Sequence, residues 1–214
     1  MNTASTLSLP PVYLQRAQAL LAAGGRRLLG IAGPPGAGKS TVAALLQSAL
    51  GGQAQVVPMD GFHLAQAELL RLGLADRKGA PDTFDAHGFV ALLRRLRQPR
   101  EGEVVYAPEF RREIEEPVAG ALAVPASTPL VIVEGNYLLL DTPPWDEVAP
   151  LLDACWYVAV DDGLRVQRLT TRHQQFGRSA QAAAEWVQRS DEANARLVQA
   201  SAARATLAFR WDAT

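Results

Sequence analysis

The stretch from Ile31 to Leu46, "IAGPPGAGKSTVAALL", constrains this chain more than any other. Gly33, Gly38, Lys39 and Ser40 satisfy the spacing G-x-x-x-x-G-K-[ST]. Their flanks supply the context that gives the pattern structural meaning. "RRLLGIAG" reads as a short buried strand before the loop, and "KSTVAALLQSAL" as a helix after it, closed by Gly51 and Gly52. In such a loop the glycines let backbone N–H groups curve inward around phosphates, and the helix amino terminus adds positive potential. Lys39 is placed to reach the outer phosphates and the Ser40 hydroxyl to take Mg²⁺. Gly33, Pro34, Pro35, Gly36, Ala37, Gly38, Lys39, Ser40 and Thr41 are therefore assigned to a nucleotide triphosphate, with Thr41 settling the first helical turn rather than facing the metal.

The remaining chain repeats the alternation of strand and helix. Pro10 and Pro11 before "VYLQRAQALLA", with Gly24 and Gly25 after it, punctuate a helix packed outside the core. "AQVVPMD", "PLVIVEG" and "ACWYVAVDD" are continuous apolar runs that end in acids, the pattern of parallel strands covered on both faces. "HLAQAELLRLGL" and "AHGFVALLRRLRQ" are expected helices, separated by the turn-rich "ADRKGAPDTFD". Residues 101–125 are expected to form a substrate-side hairpin, or two ragged strands, appended to the sheet. Residues 163–178 begin a helical tail, interrupted near Gly177, and are assigned to a lid; "ATLAFRWDA" suggests a last edge strand. The sum is an α/β fold, a three-layer α/β/α sandwich with a mostly parallel central sheet, in a single domain over residues 1–214.

A net charge of −1 over 214 residues, with 20% charged and 48% hydrophobic residues, argues against disorder and against a broad electrostatic grip on nucleic acid. A small partner is expected. Cys155 alone excludes an internal disulfide and fits a buried thiol in a reducing cytoplasm. The opening "MNTASTLSLPP" has no basic region followed by an apolar stretch, and no segment approaches the length of a membrane span. Trp186, Trp211 and the terminal segments are candidates for a homodimer interface.

A triphosphate site needs a carboxylate near its metal and, for transfer to a hydroxyl, an acceptor for that hydroxyl's proton. Asp60, ending "VVPMDGFH", and Glu134, ending "PLVIVEGNY", lie at strand exits that open beside the loop in a doubly wound sheet. The plain alternative for either is a solvated strand-end acid. Gly61, Phe62 and His63 follow Asp60 in a tight turn that brings an aromatic and an imidazole toward the same pocket. His87 and His173 lie in expected helices without metal-ligand spacing.

With these residues in place the chain resembles the phosphoribulokinase/uridine kinase family of P-loop kinases. Within it the chain is similar to the nucleoside/nucleotide kinase-like proteins labelled fructose transport system kinases. "GPPGAGKST", "PMDGFH", "DRKGAPDTFD", "VYAPEFRREIEEP", "VIVEGNYLLLD" and "RHQQFG" carry the likeness, in the family's order, across nearly the whole chain. "DGFH" and "RKGAPDTFD" are also similar to segments of bacterial type I pantothenate kinases. The resemblance implies that Lys39 and Ser40 handle ATP and Mg²⁺, that Asp60 is the catalytic base, and that Glu134 helps hold the metal. It implies that Arg168 and Arg172 belong to a lid over the phosphates, and that His63, Arg77, Lys78, Tyr106 and Phe110 line the acceptor pocket. Pro108 and Glu109 depart from the nucleoside kinase pattern, so no base-reading role is carried onto the hairpin. The implied activity is transfer of the γ-phosphoryl group to a hydroxyl of a nucleoside, a sugar or a pantothenate-like alcohol. A nucleotide-dependent regulator without a metabolite acceptor is the competing class; against it, the chain has no guanine-reading "NKxD" segment, and "RKGAPDTFD" would be surplus in a switch.

Overall fold

A computed structural model describes residues 8–212. The first seven and last two residues, on which the reading of an export signal and of terminal interface segments partly falls, lie outside the described residues. The central sheet has five strands: β1 (Arg27–Ala32), β2 (Ala54–Pro58), β5 (Leu130–Gly135), β6 (Ala154–Val158) and β7 (Leu207–Phe209). They stand in the order β2-β5-β1-β6-β7, and each pairing is parallel. The last edge strand expected at "ATLAFRWDA" is β7.

Period-two alternation within these strands divides the core into two layers. Leu29 and Ile31 of β1, Leu130 and Ile132 of β5, and Trp156 and Val158 of β6 pack under α1 (Pro11–Ala22) and α2 (Lys39–Leu50). Leu28, Val131, Val133 and Tyr157 face the other way, toward α4 (Ala86–Arg97) through Phe89, Leu93 and Leu96. Both faces are dry, which is why the strands read as unbroken apolar runs rather than alternating ones. Asp85 starts α4 by accepting a hydrogen bond from the Gly88 N–H at 2.8 Å.

Between β2 and α4 the short helix α3 (Gln66–Leu72) leads into the "RKGAPD" turn. After α4 the chain forms a hairpin, β3 (Val104–Arg111) and β4 (Glu116–Pro125). The hairpin is appended as a separate two-stranded antiparallel sheet that shares no ladder with the central one. It is fastened by packing instead: Val105, Ala107 and Val124 are fully buried in the α4-side core.

The helical tail comprises α5 (Asp162–Gln175), α6 (Ala180–Trp186), one π-helical turn over Val187–Asp191, and α7 (Glu192–Ala200). Asp161 caps α5 through the Leu164 N–H, and Gly177, at φ 94°, makes the break seen in the sequence. Arg165 of α5 is only 1% exposed and joins Asp162 at 3.1 Å to Glu192 of α7 at 2.5 Å. Among the described residues no helix is long and apolar enough to cross a membrane.

Candidate active site

The phosphate loop lies between β1 and α2 and takes its shape from local chemistry. Gly36 and Gly38 occupy left-handed backbone at φ 79° and 93°. A Cβ on Gly36 would sit 2.8 Å from Leu169 Cγ and 2.9 Å from the Arg165 carbonyl, so α5 is seated directly on the loop. Lys39 is 9% exposed; its Nζ donates to Asn136 Oδ1 at 2.7 Å and to the Pro34 carbonyl at 3.2 Å. The Ser40 hydroxyl donates to Glu134 Oε1 at 3.0 Å across the sheet.

That pair is a set of hard oxygen donors at the mouth of a phosphate cradle, which is the donor chemistry Mg²⁺ takes. Glu134, 7% exposed, is pushed above the ordinary carboxylate range, first by burial and then by the nearby charge of Asp60. Burial moves Lys39 down, against the pull of Glu134 and Asp60. A buried acid and a buried base that each resist charging are suited to a polyanion with its cation, which supplies both missing counter-charges.

Asp60 stands in the turn after β2, a single 3₁₀ turn over Met59–Phe62. Burial alone would raise its pKa, but His63, Arg112, Lys39 and Arg172 together outweigh that and hold it low. His63 itself is pushed down, mainly by burial, so the arginines Arg112 and Arg172 are the lasting cations around Asp60. His63 Nδ1 lies 2.8 Å from the Asp60 carbonyl, which only accepts, and this assigns the proton of a neutral imidazole to Nδ1. The imidazole stacks between Phe84 at 4.0 Å and Phe110 at 4.8 Å. Gly61 is required here because the hairpin lies on it: a Cβ would be 2.3 Å from the Pro108 carbonyl.

A cavity of about 640 Å³ gathers these groups. Pro35, Gly36, Lys39, Ser40, Asp60 and Glu134 line it, as do His63, Lys78, Phe110 and Arg172. Arg168 is exposed at the loop itself, its Nη1 3.8 Å from where a Cβ on Gly38 would lie. Gly33, Pro34 and Ala37 are buried beneath the loop, and Thr41 is exposed on the first turn of α2.

Two expected acceptor-side residues do not line the cavity. Arg77 turns outward, and its guanidinium is paired with Asp82 at 2.5 Å. Tyr106 is 58% exposed on the outer face of the hairpin. Between Tyr106 and Phe110 the hairpin ladder shifts register: Pro108 alone lies opposite three residues of β4, 119–121. Phe110, beyond the shift, lines the cavity, while Tyr106, before it, stays out. Sequence reading missed Asn136, Arg112, Asp191 and Asn194, all of which line the cavity. Asn136, two residues after Glu134, carried a local signal; the others are brought in by tertiary folding alone. His173, expected to have no metal role, meets Asp191 at 2.8 Å, and no cluster of three or more metal-ligating side chains occurs among the described residues.

The parallel sheet, the glycine loop closed by lysine and serine, and two strand-tip acids on one cavity define a P-loop phosphotransferase. The family model described as "Phosphoribulokinase / Uridine kinase family" matches residues 28–211, and the chain belongs to that family. It is a kinase that uses an alcohol group as acceptor. A "Putative uridine kinase" of Schizosaccharomyces pombe is 37% identical over 195 residues, covering 86% of this chain and 83% of the relative. The crystal structure of a "putative fructose transport system kinase" from Silicibacter sp. TM1040 superposes with a TM-score of 0.85 at 38% identity, over 93% of this chain and 98% of that one. A pantothenate kinase of Ligilactobacillus salivarius is 34% identical over 143 residues, 64% of this chain and 46% of the relative.

Proposed function

We propose that the protein transfers the γ-phosphoryl group of ATP to a hydroxyl of a small metabolite held beside Asp60. One observation carries this reading: Lys39, the Ser40–Glu134 pair and Asp60 open on the same cavity. Its volume of about 640 Å³ suits a small molecule rather than a polymer. The nearly neutral chain likewise favours a metabolite over nucleic acid.

The loop and Lys39 bind and orient the triphosphate, and Ser40 and Glu134 hold the metal. Mg²⁺, when bound, neutralises charge on the phosphate oxygens. Asp60, kept ionised by its cationic neighbours, accepts the acceptor's hydroxyl proton. The hydroxyl oxygen forms a bond to the γ-phosphorus while the bond to the bridging oxygen breaks, and that oxygen leaves with ADP. Arg172, on the cavity wall, and Arg168, over Gly38, are placed to balance the charge of the group in flight. Names carried by the relatives (uridine, fructose transport, pantothenate) support an alcohol acceptor and leave its class to be argued from the site.

Asp60→Asn tests the assignment. Acceptor-dependent ATP consumption should fall by about 10²- to 10⁴-fold, the usual worth of a general base. Binding of Mg²⁺–ATP, followed by calorimetry, should stay within about twofold of the parent, since positioning and electrostatics hold the nucleotide. Near-parental turnover by the variant removes Asp60 as the base. ATP consumption that is equally fast without any acceptor favours the regulatory class instead.

A further inference from the structure

Given that reading of the site as a metabolite kinase, we propose that the alcohol it phosphorylates carries an anionic group, and that Arg112 and Lys78 receive that group across the face of Phe110. The acceptor side of the cavity carries two cations on one aromatic ring. Lys78 Nζ lies 5.3 Å from the centre of the Phe110 ring and the Arg112 guanidinium carbon 5.8 Å from it. Both side chains line the cavity that contains Asp60.

Neither cation has its charge matched by a committed acid. Lys78 donates to two neutral groups, the Glu115 carbonyl at 2.6 Å and Gln66 Oε1 at 3.3 Å. Among the described residues the one acid Arg112 pairs with is Asp60, at 3.4 Å, too long for a strong charge-assisted bond. The hairpin acids Glu115 and Glu116 also line the cavity, yet among the described residues neither forms a close ion pair with Lys78 or Arg112. Both oxygens of Glu116 accept from the Gln66 N–H at 3.1 Å, and Glu115 is exposed at the turn, offering Lys78 its carbonyl. Arg172 borders the same space, its guanidinium lowered first by burial and then by repulsion from Arg112, against the pull of Asp191, Asp60 and Glu115.

The chemistry of transfer sharpens this imbalance. As Asp60 takes the hydroxyl proton it loses its charge, and Arg112 loses its acid. A neutral acceptor that displaced water here would leave Arg112 and Lys78 desolvated without a counter-charge, which is costly. An anion joined to the reacting alcohol supplies the counter-charge where it is missing and fixes the hydroxyl against Asp60. The hairpin then selects the acceptor by charge. A carboxylate and a phosphate would serve alike, and they are told apart below.

The test is a panel of matched alcohols differing in one charged group, assayed with Mg²⁺–ATP and the intact protein. Glycerate against glycerol and pantothenate against pantothenol form the carboxylate arm; fructose 6-phosphate against fructose forms the phosphate arm. The anionic member of a pair should be turned over with kcat/KM at least about tenfold above its neutral counterpart, as expected for one charge-assisted contact. Arg112→Gln should raise KM for that anionic acceptor on the order of tenfold to a hundredfold while the KM for ATP is unchanged, and Arg112→Lys should restore part of the loss. A merely structural role would move ATP and both members of each pair together. Preference for the neutral members, an anionic-to-neutral ratio that Arg112→Gln leaves unaltered, or Mg²⁺–ATP binding without turnover of any anionic member overturns the proposal. Failure to bind Mg²⁺–ATP, or consumption of ATP independent of acceptor, overturns the kinase reading on which it rests.

Discussion

Glu134 shows what a single residue in this site costs the fold. Its carboxyl is raised by burial, so the folded state binds the proton more tightly than the unfolded chain does. With that sign, Glu134 favours folding at low pH, and the contribution fades as pH rises through its folded-state value. Above that value and without metal, the ionised group is a net burden. Glu134→Gln is therefore expected to melt at or above the parent's temperature without ligand, while losing the extra stabilisation that Mg²⁺–ATP gives the parent. Differential scanning calorimetry with and without Mg²⁺–ATP reads both, and a variant several degrees less stable without ligand contradicts the account. Asp60 and Glu134 were legible from sequence as strand-tip acids because a parallel strand delivers its carboxyl end to one edge of the sheet. Arg77 and Lys78 were not separable, because which of two adjacent cations faces inward depends on the exact path of the 3₁₀ turn at Ala75–Arg77. Arg112 left no local trace at all, lying 52 residues from the acid it meets.

Among the elements, α5 packs directly on the phosphate loop. It is seated on Gly36, carries Arg168 and Arg172, and is tied to α7 through the buried Arg165. Arg165→Ala strips a partner from Glu192, whose side chain is 23% exposed and can recover some hydration. The loss should therefore sit near or below the lower end of the about 3–5 kcal/mol usual for breaking a buried pair. Chemical denaturation would show it, and hydrogen exchange should localise the weakening to α5 and α7; a loss below about 0.5 kcal/mol, the scale of a surface substitution, counts against the clamp. The helical content of this tail was readable from its pattern. The π-helical turn at Val187–Asp191 was not, since one extra residue per turn changes no residue type, yet that turn accompanies Asp191 and Asn194 on the cavity wall. The hairpin shows the same limit: its two strands were visible, whereas the register shift between Ala107 and Glu109, which falls between Tyr106 and Phe110, was not.

For the molecule as a whole, the two dry faces of the parallel sheet make the nucleotide half rigid. Cys155, 5% exposed at the centre, reports on it: burial pushes its thiol up to about 12, and its Sγ would lie 2.7 Å from a Cβ on Gly30. Labelling by a thiol reagent should therefore follow global unfolding across a denaturant series rather than local opening. Fast labelling under native conditions would show that the sheet breathes on its own. The hairpin stands apart from that block, joined to it by side-chain packing and by no ladder. Half of the catalytic chamber is thus woven into the fabric of the protein and the other half is a detachable ribbon. Exchanging the ribbon between relatives should redirect which alcohol is modified while the appetite for nucleotide persists.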